Sequence, residues 1–232
     1  IGTLAKKYDV IVIEDLAYFG MDFRQDYSVP GQAPFQPTVA KYTDNYMLMI
    51  SSSKIFSYAG QRIGILAISD TLYHRTFPDL KRYFTSDSFG FAAIYGALYA
   101  LSSGTCHSAQ FALAAMFKAV NDGAANLTAS VKEYEKRASL MKELFVKYGF
   151  NIVYDTDLGR PLANGFYFTI SYPGYTGGEL VEELLPYGIS AITLDITGSE
   201  RKEGLRACVS QVRMEQIPVL EERLKIFYEN HK

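Results

Sequence analysis

Residues 10–14 read Val-Ile-Val-Ile-Glu, a β-branched run without the apolar/polar alternation of a strand that has one face in water. Such a run argues for a strand covered on both faces. The same texture returns in Tyr-Met-Leu-Met-Ile-Ser-Ser over residues 46–52 and Arg-Ile-Gly-Ile-Leu-Ala-Ile-Ser over 62–69. Their spacing then restricts the topology. About thirty residues separate the first two, room enough for a crossover, so these strands can run parallel. Only about ten separate the second from the third, short of the dozen or so that a parallel crossover needs. The third strand is therefore predicted to be antiparallel.

The remaining elements follow from periodicity and punctuation. Residues 26–42 hold three prolines and read as an exposed loop ending in a short helix. Residues 73–82 and the aromatic-rich 89–101 read as helical. A strongly apolar helix follows at 107–120, and a long amphipathic one at 128–149, stopped by Gly149. The texture then changes: strand 165–173, helix 177–188, strands 189–194 and 205–212 and a final helix make a compact α+β unit. The expected division is 1–104, a connecting helix over 105–127, and a small domain over 128–232. The chain opens inside what reads as the last turn of a helix running into a strand, without an initiator methionine. That pattern predicts a piece of a longer polypeptide.

Composition narrows the function classes. At 48% apolar and 21% charged residues the chain is globular material, and its net charge of −2 comes with no basic block. Nucleic acid and acidic membrane surfaces are thereby excluded as principal partners. Cys106 and Cys208 have neither metal-ligand nor redox spacing and are expected to be buried free thiols. His74, His107 and His231 form no ligand cluster, so no metal is expected. No apolar run spans a bilayer and no signal peptide precedes the first strand, which predicts a cytoplasmic protein.

Ligands of open α/β sheets bind beyond the carboxyl ends of parallel strands. Two segments lie there, Glu-Asp-Leu-Ala-Tyr-Phe-Gly after the first strand and Ser-Ser-Ser-Lys after the second. If the strands share a sheet, Asp15, Tyr18, Ser51, Ser53 and Lys54 open onto one crevice, with Arg62 nearby. A lysine amine beside another cation, in a water-poor crevice, suits attack on an aldehyde. Arg62 with Ser51 and Ser53 offers a fork and two hydroxyls suited to a phosphate. Asp15 suits a protonated heteroaromatic nitrogen, and Tyr18 a phenolic oxygen. Together these describe pyridoxal 5′-phosphate. Each residue also has an ordinary reading: Asp15 as a helix cap, the serines as turn formers, Lys54 as a solvated loop lysine, Arg62 as a partner of a structural carboxylate.

The order of these residues carries a resemblance. Asp15-Leu-Ala-Tyr18, Ser51-Ser-Ser53-Lys54 and Gly60-Gln-Arg62-Ile-Gly64 resemble the motifs of fold-type I aminotransferases of classes I and II. The late Gly-Leu-Arg-Ala-Cys-Val-Ser over residues 204–210 is similar to the family's small-domain strand, whose arginine clamps the substrate α-carboxylate. The resemblance implies an α/β fold: an incomplete cofactor-binding large domain, with a mostly parallel sheet and one antiparallel strand, then a small α+β domain. It implies Lys54 as the Schiff-base lysine and the base that moves the α-proton. It implies Asp15 on the ring nitrogen, Tyr18 on the ring oxygen, Ser51, Ser53 and Arg62 on the phosphate, and Arg206 on the α-carboxylate. Amino-acid and 2-oxo acid substrates and a homodimer are implied with them. The family's Asn-Pro-containing motif belongs to the first half of the large domain, and no Asn-Pro dipeptide occurs in these 232 residues. The fragment alone is accordingly expected to be inactive.

Other reactions on the same scaffold stay open, among them β-decarboxylation, C–S lysis and an aminocyclopropane-forming elimination, because the cofactor supplies the electron sink in all of them. A non-catalytic remnant is the reading from another class. The loop 20–45, with Phe23, Arg24 and Phe35, is a candidate substrate lid.

Overall fold

The computed structural model describes residues 1–23, 25–27, 29–162 and 165–232, with backbone alone at residue 130. The chain divides into two compact units, Ile1–Met21 with Asp26–Thr128, and Asp22–Gln25 with Ala129–Lys232.

In the first unit, a short helix Gly2–Tyr8 ends where Asp9 turns left-handed (φ 52°) and leads into β1, Val12–Leu16. Strands β2, Tyr46–Ser51, and β3, Gly64–Ile68, complete a sheet of order β1-β2-β3. β1 runs parallel to β2, with Val12 beside Tyr46 and Leu16 beside Ile50. β3 returns antiparallel, pairing Met47 with Ile68 and Ser51 with Gly64, as the short connection requires. Gly64 has no room for a side chain, because a Cβ there would stand 2.9 Å from the Ile50 carbonyl oxygen. The sheet departs from expectation in its cover. Ile13 and Met49 lie on one face and are 60% and 42% exposed. A β-branched run marks residues suited to burial; in this unit the elements packed on the sheet do not reach all of them.

The expected helix over 73–82 is broken in two. Helix Asp70–His74 stops at Arg75, Phe77 is extended (φ −128°, ψ 105°), and a single-turn helix Pro78–Arg82 follows. Proline lacks the amide proton and crowds the residue before it out of helical geometry, which accounts for the break. The aromatic stretch is helical in three successive pieces, Phe89–Phe91, a wide π-turn over Ala92–Tyr99, and Ala100–Ser102. Helix His107–Asn121 buries Ala109 and Leu113 against Ile63, with Phe56, Tyr58 and Phe117 around them. Cys106, expected inside, is exposed because it precedes the first turn of that helix, where its Sγ lies 3.2 Å from Ser108 Oγ. Cys208 is half-buried.

The second unit opens with helix Ala129–Lys147. Gly149 ends it in left-handed geometry (φ 88°), while the Phe150 amide reaches back to the Phe145 carbonyl at 3.0 Å. Its strands are β4 Asn151–Ile152, β5 Thr156–Asp157, β6 Arg160–Pro161, β7 Tyr167–Ser171, β8 Ile192–Thr193 and β9 Gly204–Cys208. β4, β7, β9 and β8 form an antiparallel sheet in that order, and β5 pairs with β6. Helix Gly177–Leu184 starts on a capping box: Thr176 Oγ1 accepts from the Glu179 amide, and the Glu179 carboxylate accepts from the Thr176 amide. The strand expected over 189–194 shrinks to two paired residues, held between the left-handed Gly188 and the turn Asp195–Thr197. The one expected over 205–212 ends at Cys208. Ile170, Leu205, Leu224 and Phe227, the last two on helix Ile217–Asn230, are fully buried. Among the described residues no helix is long and apolar enough to cross a membrane.

Candidate active site

The parallel register of β1 and β2 brings their carboxyl ends out side by side. Asp15 leaves β1 exposed, its Oδ1 accepting from the Ala17 amide at 2.9 Å, which begins a turn carrying Tyr18. β2 passes directly into a one-turn helix, Ser52–Ile55, that carries Lys54. Ser51 caps it: its hydroxyl accepts from the Ser53 amide at 3.1 Å. The Lys54 amine stands over the Tyr18 ring, 5.8 Å from its centre.

Beyond this turn the chain loops through residues 56–61 to Arg62. Arg62 is exposed and left-handed (φ 54°), and its Nη1 donates to the Ala59 carbonyl at 2.9 Å. A cavity of about 930 Å³ opens here. Asp15, Ser51, Ser53 and Arg62 line it together with Met49 and Phe89, while Lys54 and Tyr18, paired with each other, are not among its lining residues. The polar groups at the cavity are a carboxylate, a guanidinium and the hydroxyls of Ser51, Ser53, Ser102 and Thr105. Such a set offers hydrogen bonds and charge to an anion at one end and an acceptor for a protonated group at the other.

Arg206 belongs to the second unit. It sits on β9 opposite Thr169 of β7 and Ile192 of β8. Its guanidinium lies over the Tyr167 ring at 4.3 Å from the centre. Tyr167 opposes Cys208, two residues along, so the pair is a cross-strand diagonal on one sheet face. Arg206 also lines a cavity of about 570 Å³ within this unit, with Ile189, Val219 and Arg223; Arg223 Nη1 donates to the Gly188 carbonyl at 2.8 Å.

Two residues escaped the sequence reading. Ser52, the unassigned position of the Ser-x-Ser-Lys motif, is 2% exposed and donates its hydroxyl to the Ile63 carbonyl. Tyr167 is one aromatic among many in a strand, and its pairing with Arg206 depends on a register that no single strand contains. In the candidate lid, Phe35 is exposed and Phe23 buried, while Arg24 lies outside the described residues. Among the described residues, no three histidine, cysteine, aspartate or glutamate side chains gather as metal ligands.

Residues 1–224 match the family described as aminotransferase class I and II, and the chain belongs to that family. No curated protein sequence matches it. Among solved structures, an aminotransferase from Mycobacterium tuberculosis is similar over 99% of this chain and 52% of its own, with a TM-score of 0.71 at 16% identity. A putative aminotransferase from Silicibacter pomeroyi matches over 99% of this chain and 54% of its own (TM-score 0.67, 21% identity). The α-aminoadipate aminotransferase of Thermus thermophilus, complexed with N-(5′-phosphopyridoxyl)-L-leucine, matches over 99% and 52% (TM-score 0.66, 14% identity). The chain thus has their mixed α/β fold and spans about half the length of these structures.

Proposed function

We propose that this chain is the part of an aminotransferase that carries the cofactor lysine, acting on an amino acid and a 2-oxo acid with pyridoxal 5′-phosphate. The observation that carries the reading is the gathering of Asp15, Ser51, Ser53 and Arg62 on one cavity at the carboxyl ends of two parallel strands. Lys54 sits on the turn that Ser51 caps. The side chains at the cavity suit the group, with a cation and hydroxyls for a phosphate and a carboxylate for a protonated ring nitrogen, and Lys54 on the adjoining turn supplies an amine for an aldehyde.

When bound, the cofactor supplies a ring that draws electron density from the substrate α-carbon. The chain's own residues do the rest. Lys54 Nζ would hold the cofactor's aldehyde and, once the substrate's amine has displaced it there, would be the free amine that takes the α-proton. Asp15 keeps the ring nitrogen protonated, and the Tyr18 hydroxyl hydrogen-bonds the ring oxygen. Ser51, Ser53 and Arg62 hold the phosphate, and Arg206 binds the substrate α-carboxylate through two parallel hydrogen bonds. In this reading residues 1–104 serve the cofactor, 105–127 connect, and 128–232 serve the substrate carboxylate, with a homodimer as the working assembly.

A visible-absorbance titration with pyridoxal phosphate tests it. A band that appears with the unaltered chain and is lost in Lys54→Ala is the expected result. A band equally strong in Lys54→Ala, or none in this chain and none in the full-length protein either, overturns the assignment.

A further inference from the structure

The loop between the Lys54 turn and β3 is closed by one buried side chain. Ser52 Oγ donates to the Ile63 carbonyl at 2.5 Å, and the Ser52 carbonyl accepts from the amides of Phe56 (3.3 Å) and Tyr58 (3.4 Å). Ser52 is the first residue of the turn that carries Lys54, and Ile63 directly follows Arg62. Ile63 is itself anchored, 7% exposed, against Ala109 and Leu113. The bond therefore ties the lysine turn to a packed point one residue from the arginine. Arg62 holds a left-handed backbone that a non-glycine residue keeps only when its surroundings enforce it. The turn motif itself requires no hydroxyl at this position, since Ser52 neither caps the helix nor lines the cavity.

We propose that Ser52 is a positioning residue: its bond sets the separation between the Lys54 turn and the Arg62 loop, so that an aldehyde and a phosphate on one molecule are met together. The proposal rests on the function proposed above. Loss of the hydroxyl leaves a buried carbonyl without its partner and frees the loop, while Lys54 and Arg62 keep their own chemistry.

The test compares pyridoxal phosphate with pyridoxal, which has the aldehyde but no phosphate, in the unaltered chain, Ser52→Ala and Ser52→Cys. The Lys54-dependent absorbance band reports both affinities. Loss of a buried hydrogen bond of this kind predicts that Ser52→Ala cuts the preference for the phosphorylated compound by about tenfold and leaves pyridoxal affinity within about twofold. Ser52→Cys, similar in volume and a weaker donor, falls between. Equal loss of both affinities, or of neither, overturns the positioning role. Amide hydrogen exchange supplies a readout without cofactor. Exchange at Ser57 and Gln61, whose amides donate within the loop, is expected to speed up in Ser52→Ala while the β1–β2 ladder stays protected. Unchanged loop exchange overturns the proposal whatever the cofactor does. If neither the unaltered chain nor the full-length protein forms a band with either compound, the proposed function fails and the phosphate-matching role with it. The exchange result then separates that failure from a failure of Ser52 to order the loop.

Discussion

Of the largest fully buried side chains among the described residues, Phe227, Ile170, Leu180, Leu184, Leu205, Leu224 and Val209 belong to the second unit, and Leu72 to the first. The buried polar side chains divide the other way: Thr43, Ser52, Ser69 and Thr128 all lie in the first unit. The Thr43 hydroxyl caps locally, accepting from the Asn45 amide, while the bonds of the other three join segments distant in sequence. Ser52 reaches Ile63, Thr128 reaches Asp26 at 2.8 Å, and Ser69 bonds the Asp44 carbonyl while capping helix Asp70–His74. Both units bury apolar side chains, but the second holds most of the fully buried large ones and the first holds the buried hydroxyls. A unit with Asp15 and Ser51 at its strand ends and Lys54 on the following turn places polar groups where the sheet opens to solvent. Hydrogen bonds position these precisely while adding only about 1 kcal/mol each to net stability.

The sharpest way to break this comparison is a pair of truncations. Phe227→Ala is expected to destabilise the second unit by about 3–5 kcal/mol, because a fully buried ring leaves a cavity that its neighbours only partly fill. Ile13→Ala, on the exposed sheet face, is expected to change the first unit by no more than about 0.5 kcal/mol. Urea unfolding followed by unit-specific amide signals reads both. Equal costs would mean that the sheet face carrying Ile13 is packed as tightly as the surroundings of Phe227.

A smaller effect sharpens the polar side of the contrast. The Glu14 carboxylate accepts from Thr38 Oγ1 at 2.7 Å and from the Val39 amide at 2.9 Å, tying the proline-rich loop to β1. Glu14→Ala is expected to cost about 1–3 kcal/mol in the first unit, since it strands two part-buried donors. Exchange at the Val39 amide should rise with it. A change confined to the second unit would contradict the assignment.

The smallest effect is one of pH. Hydrogen bonds from Arg75, and secondarily Asn45, hold the Asp9 carboxyl at about 2, below its usual 3.8. A carboxyl depressed by folding adds stability that is complete above its unfolded value and is lost as pH falls through its folded one. The loss therefore falls between pH 3.8 and about 2. The pair is exposed, so the shift in unfolding midpoint should be slight and weakened by salt. A carbon-detected titration is the direct check: in Arg75→Ala the Asp9 midpoint should climb back toward 3.8.

Much of this molecule is legible in its sequence, because the signals involved are local. The apolar runs marked β1, β2 and β3, connection length set the antiparallel return of β3, and Gly149 stopped the long helix. The Asp-x-x-Tyr and Ser-x-Ser-Lys spacings placed a carboxylate, a phenol, hydroxyls and an amine at the ends of adjacent strands, since register carries strand ends with it. Tertiary structure alone decided the rest. Pairing geometry reduced the strand at 189–194 to two residues, and the limited cover over the sheet left Ile13 and Met49 in water. Arg206 met Tyr167 across a strand pair, and Ser52 met Ile63 across its loop. These contacts join residues that lie about ten to forty positions apart in the chain. A residue's type states which bonds it can make; which partner comes within reach is settled only when the chain has closed on itself.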